Sequence, residues 1–304
     1  MNEAGARLGD VMTGRVRYAP VKSLWLTAML LGAVVGGIPT LGMATFALFV
    51  GLTLLTLLLG HTLGSHRKLI HNSFGCPRWL EVVLVWWGVQ VGLAGPLGLK
   101  RQHDLRDLAQ RRSDCHPYLR HGMPFLQDGW WQMHCDLMLA DPPPLDDSRG
   151  LSRDAVLLVL ERTWMLQVLL TALPLWALGG WGFVWWGLCA RVSACVLGHW
   201  LIGYFAHNHG RQPVQLPGVA VQGRNLPWLS LITMGECWHN NHHADPGSAC
   251  LGVRPGEWDP GWWALRGLAR VGLVWQLKVP GLARMTTTDS TQELATDERP
   301  AAIA

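Results

Sequence analysis

Long apolar runs alternate with polar blocks along this chain, and the alternation sets out its plan. Residues 24–38 and 41–59 carry no charge and are separated by Gly36-Gly37-Ile38-Pro39-Thr40, where glycine and proline punctuate a turn. Each run, with a few flanking residues, reaches the roughly 17–25 residues that take a helix across a bilayer, so the pair predicts a transmembrane helical hairpin. Runs at 162–178 and 181–203, turning at Gly179-Gly180, predict a second. Between the hairpins, 79–95 is apolar but includes Glu81, Gln90 and several tryptophans, which predicts a helix lying in the membrane interface. Residues 100–153 form the main polar block, broken by Asp141-Pro142-Pro143-Pro144. From Thr286 onward the sequence has no apolar period, so 286–304 is predicted to be a disordered tail following a single membrane domain at 1–285.

Arg7, Arg15, Arg17 and Lys22 precede the first run and place the N-terminus on the cytoplasmic side. Two hairpins then bring both termini and the polar block to that side. The expected fold is an all-α membrane protein, four transmembrane helices in two hairpins beneath a cytosolic, histidine-rich helical cap, located in a bacterial inner membrane. Composition agrees: 49% of residues are hydrophobic and 15% charged, against about 25% charged in soluble domains. The formal charge of +4 is small, and no Lys/Arg block interleaves with aromatics, which excludes a nucleic-acid partner. Seven cysteines without a C-x-x-C pair predict reduced thiols. The first apolar run is too long for a signal-peptide core and reads as a retained anchor.

The histidines carry the candidate chemistry. Glu236-Cys237-Trp238-His239-Asn240-Asn241-His242-His243 has the form H-x-x-H-H. On a helix, His239 and His243 are four apart and His239 and His242 three apart, so their imidazoles lean toward one point. Neutral imidazole suits iron, zinc, copper or nickel. His61 and His66 form an H-x-x-x-x-H pair where the second run ends; on an ideal helix they turn well apart, which suits two neighbouring metals better than one. His199 and His207 lie on one stripe of the last run, with Asn208 and His209 following, and ionisable groups at the end of a span are functional candidates.

An H-x-x-x-x-H pair after a membrane hairpin, followed by His-Asn-Asn-His-His-Ala-Asp-Pro, resembles the membrane fatty-acid (acyl-CoA type) desaturases over about residues 24–280. The resemblance implies a helical membrane protein with two iron ions (Fe2+), O2 as co-substrate, a lipid or acyl-thioester substrate, and a separate electron donor of the ferredoxin or cytochrome b5 kind. Carried over residue by residue, His61 and His66 match the first box, His239, His242 and His243 the third, and His207 the extra histidine after the last span. The second box departs from the family's H-x-x-H-H. Its best match is His103-Asp104-Leu105-Arg106-Asp107, where only His103 survives, Asp107 offers an oxygen ligand, and Arg106 cannot ligate a cation. The alternative for this block is a salt-bridged surface helix using Arg106, Asp107, Arg111 and Arg112. An asparagine expected four residues before His207 is replaced by Gly203. Beyond the metal ligands, His199, His209, Arg106 and Asn208 are expected to support the site.

The function expected is O2-dependent oxidation of a lipid acyl chain, desaturation first, with a lipid hydroxylase of the same fold or a non-catalytic metal-binding membrane protein as alternatives. The acyl chain is expected to enter an apolar channel beneath the metals with its headgroup at the basic cap, where Lys100, Arg101, Arg106, Arg111 and Arg112 are available for an anionic headgroup or an electron-carrier surface.

Overall fold

Proline fixes where the first rod begins: Pro20 opens α1 (Pro20–Leu31), at a position where the missing N–H is no loss. The computed structural model describes residues 9–280, so the tail expected at 286–304 lies outside them. α1 continues through a π turn, Gly32–Gly37, and a 3-10 turn, Ile38–Thr40. α2 (Met43–Leu55) runs straight into a π-helix, Thr56–Ile70. The third rod joins α6 (Ala155–Leu170), α7 (Ala172–Val184), a π turn at Trp185–Ala190 and α8 (Arg191–Asn208). The Asp154 carboxylate starts this rod by accepting the N–H groups of Val156 and Leu157.

The described residues are mostly helical, and among them three helices, Pro20–Thr40, Met43–Ile70 and Ala155–Asn208, are long and apolar enough to cross a membrane. Inside the third, Gly179 and Gly180 leave the helical conformation, Gly180 at φ 65°, a region glycine enters without steric cost. That is where the sequence places its second turn. Leu31, Val35, Leu41, Met43, Leu173 and Leu178 are exposed along the rods, an outward apolar face of the kind that lipid covers.

The second rod extends beyond the expectation of a span ending at 59. Its helix continues to Ile70 and closes with the His71 N–H bonded to the His66 carbonyl at 3.1 Å, a five-residue step. In that geometry residues five apart share a face, so the ideal-helix argument separating His61 from His66 does not apply. α3 (Arg78–Val89) packs along the rod, burying Leu80, Leu84, Val85 and Val89. The approach is close enough that a Cβ on Gly64 would meet the Leu84 carbonyl oxygen at 2.0 Å. α3 is shorter than the expected 79–95, because a turn after Gln90 leads to Pro96 and α4 (Pro96–Gln110).

A small sheet departs from the all-α expectation. β1 (Gly14–Tyr18) pairs antiparallel with β2 (Cys135–Leu139), with Val16 opposite Leu137. Both side chains pack on the cluster around Val11, Ala109 and Leu119, which gives the ribbon a buried side. β2 follows α5 (Phe125–His134), and Lys22 at the start of α1 bonds the Cys135 carbonyl at 2.8 Å. The basic N-terminal stretch is thereby fastened over the first rod. Two short elements complete the cap, α9 (His239–Ala244) and α10 (Pro260–Arg270).

Candidate metal centre

Two groups of imidazoles meet under the cap. The first joins His66 and His71, at the end of the π-helix, to His103 of α4 and His242 of α9; one ligand atom from each lies within 4.8 Å of the others. His66 and His71 reach the same point because the π-helix stacks residues five apart, their ring centroids 4.8 Å from each other. Among the described residues His71 Nε2, His103 Nδ1 and His242 Nδ1 are buried with no hydrogen-bond partner. Buried nitrogens left bare are costly, and a cation among them relieves that cost.

The second group is His207 of α8 with His239 and His243 of α9. His239 Nε2 is 3.0 Å from both His207 Nε2 and His243 Nε2. His207 Nδ1 donates to the Gly203 carbonyl at 2.6 Å, which leaves Nε2 as the lone-pair atom. Burial, followed by neighbouring imidazoles, pushes His71, His242 and His243 well below the ordinary imidazole range, and burial above all takes His239 to about 4. At neutral pH these rings are neutral, the form that binds a metal. The donor sets fit borderline divalent ions such as Fe2+ or Zn2+.

Six residues are too few to hold a helix by themselves, and the two asparagines between the histidines anchor α9. Asn240 donates to the carbonyls of Val214 and Gly223 at 2.8 and 2.7 Å. Asn241 donates to the Leu251 carbonyl and to Glu257 Oε2 at 2.9 and 2.8 Å. Asn225 bonds both, through the Asn240 N–H and Asn241 Oδ1.

Behind the first group runs a buried chain of charge. Glu236 Oε2 stands 2.7 Å from His66 Nδ1, and its other oxygen is 3.7 Å from Arg67 Nε. Arg67, 1% exposed, donates to Asp259 Oδ1 at 2.8 Å and to the Ala249 carbonyl at 2.7 Å. Asp259 also accepts the Leu251 and Trp262 N–H groups, tying α10 to the site. A carboxylate behind a ligating imidazole fixes the ring and raises its basicity.

Both groups sit beside a cavity of about 550 Å3. His66, His103, His207, His239 and His243 line one part of it, and Leu26, Leu93, Met165 and Val196 give it apolar walls. Trp25 and Trp164, edge to face at 5.2 Å, also line it, and Trp25 is pinned by a hydrogen bond to the Gly92 carbonyl at 2.9 Å.

Of the eight metal ligands expected from the sequence, the structure gathers His66, His103, His207, His239, His242 and His243 into these groups. His61 lies outside both, its ring parallel to that of His66 at 6.3 Å and 5.2 Å from His199, on the cavity wall. Asp107 is also outside both; its Oδ2 is 3.5 Å from His103 Nδ1. Of the basic residues expected at the headgroup, Arg106 lines the cavity, whereas Lys100 pairs with Asp104 and Arg111 donates to the His243 carbonyl at 3.3 Å. Asn208 bonds the His121 carbonyl at 3.0 Å, and His209 is exposed beside Phe205. Sequence reasoning missed His71, although His61, His66 and His71 repeat every five residues. It also gave no role to His121 or Glu236.

Comparison with known proteins supplies an independent line. The model of the fatty acid desaturase family matches residues 42–255. The sn-2 palmitoyl-lipid 9-desaturase of Nostoc is 33% identical over 71% of this chain and 75% of its own length. The sn-1 stearoyl-lipid 9-desaturase of Synechocystis is 31% identical over 73% of this chain and 68% of its own. A chloroplastic palmitoyl-monogalactosyldiacylglycerol delta-7 desaturase of Arabidopsis thaliana is 30% identical over 77% of this chain, and the match spans 62% of that relative.

Proposed function

Because the chain belongs to the fatty acid desaturase family, we propose that it is a membrane-bound oxidoreductase that introduces a double bond into a lipid-linked or thioester-linked acyl chain. One observation carries the reading: two groups of imidazoles stand beside a cavity that has an apolar stretch of wall, with Leu26, Leu93, Met165 and Val196. Two irons, when bound, supply O2-dependent oxidation of an unactivated C–H bond, and His66, His71, His103 and His242 would hold one, His207, His239 and His243 the other. Removing two hydrogens from adjacent carbons with O2, two electrons and two protons gives the alkene and two waters. The electrons come from a separate ferredoxin or cytochrome b5-like donor.

The chain's own residues position the substrate and exclude water. The apolar walls favour an acyl chain over a polar substrate by about 0.8 kcal/mol per buried methylene. Trp25 and Trp164 add an aromatic face to those walls. Lys22 and Arg106 are the cations lining the cavity and suit an anionic or ester headgroup. The break at Gly179-Gly180 supports dividing Ala155–Asn208 into two spans, giving four spans in two hairpins with both termini cytoplasmic, in a bacterial inner membrane. The test is to express the chain in a bacterial host, measure iron in the purified protein and analyse host fatty acids by mass spectrometry. Two irons per chain and new monounsaturated acyl chains are expected, and His242→Ala is expected to lose the iron of the first group and with it the new acyl chains. Hydroxylated products, or unchanged lipids from iron-loaded protein supplied with donor, would overturn it.

A further inference from the structure

The two histidine groups are not equal. The first offers four imidazoles and the second three, and a position in the second box that resembles a family ligand is occupied by Arg106, which has no lone pair to give. His121 stands beside the smaller group. Its ring is stacked parallel on that of His207, centroids 5.4 Å apart, and both rings line the same cavity. It is 3% exposed, and its φ of 53° holds it in the left-handed region.

Three features aim this side chain. Asp128, fully buried, accepts from His121 Nδ1 at 2.9 Å, and Trp200 Nε1 donates to the same carboxylate oxygen at 2.9 Å. A carboxylate on Nδ1 puts the ring proton there and leaves Nε2 as the lone-pair atom. The room for Nε2 comes from Gly203, one helical turn before His207: a Cβ there would stand 2.9 Å from His121 Nε2. The missing side chain at 203 and the imbalance of the two groups thus meet at one atom. Arg106 donates to that Nε2 and, through its other nitrogen, to Gln132 Oε1 at 2.9 Å. With Gln132 to hold it, the guanidinium keeps an acceptor when it releases the imidazole.

We infer that His121, brought in from outside the histidine motifs and aimed by Asp128, is the fourth imidazole of the second metal group, with Arg106 competing for its lone pair. The inference rests on the two-metal reading above. Metal binding at this group turns Arg106 away from His121 toward Gln132.

The test is equilibrium titration of the full chain in detergent, freed of metal, with Co2+, whose visible spectrum reports its ligands, and metal counting by mass spectrometry. The wild type is expected to take two ions. His121→Ala is expected to keep the first and bind the second at least about tenfold more weakly. The retained ion is an internal check of folding. Asp128→Asn and Gly203→Ala, which disturb the aim of the ring without removing it, are expected to weaken only the second ion, and Arg106→Gln to tighten it. Unchanged second-ion affinity and spectrum in His121→Ala would overturn the inference. If His121→Ala loses both ions, Gly203→Ala and Asp128→Asn decide: selective loss of the second ion supports the inference, and wild-type binding overturns it. A wild type that takes fewer than two ions defeats the two-metal reading itself.

Discussion

At the scale of single residues the site depends on groups that never touch a metal. Glu236→Gln removes the negative charge behind His66 while keeping its shape, so iron binding at the first group is expected to weaken about 10–100-fold, read by chelator competition. Asp259→Ala leaves the Arg67 guanidinium buried without its closest carboxylate, a loss of roughly 3–5 kcal/mol of stability, measurable as lowered resistance to denaturant in detergent. The residues carrying these effects were only partly legible in the sequence. The spacing of His239, His242 and His243 announced itself, because i, i+3 and i+4 hold on any helical turn. His66 was recognised but joined to the histidine five residues before it rather than to His71 five after, since a pair in isolation does not say in which direction a metal lies. Glu236 sits beside the motif, yet nothing local shows a carboxylate to be folded back onto a ring 170 positions earlier in the chain.

Among the elements, the second rod and α9 decide whether the site forms. Gly64→Ala sets a methyl 2.0 Å from the Leu84 carbonyl, so α3 must move off the helix bearing His66. Overpacking of that kind costs roughly 1–3 kcal/mol, and the variant is expected to show both a lower unfolding midpoint and a lower metal content. Asn240→Ala strips α9 of its bonds to Val214 and Gly223. Because α9 feeds both groups, iron is expected to fall at both in parallel, which metal counting distinguishes from the one-sided effect of Glu236→Gln. Apolar runs made the rods visible in the sequence. The change from α to π winding was not, because hydropathy records that a helix is buried and says little about its residues per turn. The two-stranded ribbon escaped because five-residue strands paired across more than a hundred positions leave a local pattern too short to register.

For the molecule as a whole, the proposed topology turns on the break at Gly179-Gly180. With that break as a turn between two spans, a cysteine placed at 180 in a chain otherwise free of accessible thiols is expected to react with impermeant reagents from the side opposite to one placed at 218. Labelling of both from the same side would reject the two-hairpin arrangement. The membrane-length helices were readable because bilayer thickness imposes run lengths that few other environments demand. The shape of the reaction chamber was not readable, since its walls come from Trp25, Leu93, Trp164 and Val196, which lie on different elements.

Both imidazole groups draw on α9, and the charge chain behind the first continues to Asp259. Ribosomal synthesis runs from the N-terminus, so the rods up to Asn208 are made before either group has a full complement of ligands. On the two-metal reading, insertion into the bilayer is expected to precede iron, the rods taking their helical shape without its help. A cell starved of iron is then expected to hold inserted, idle protein whose activity returns with iron even when translation is blocked.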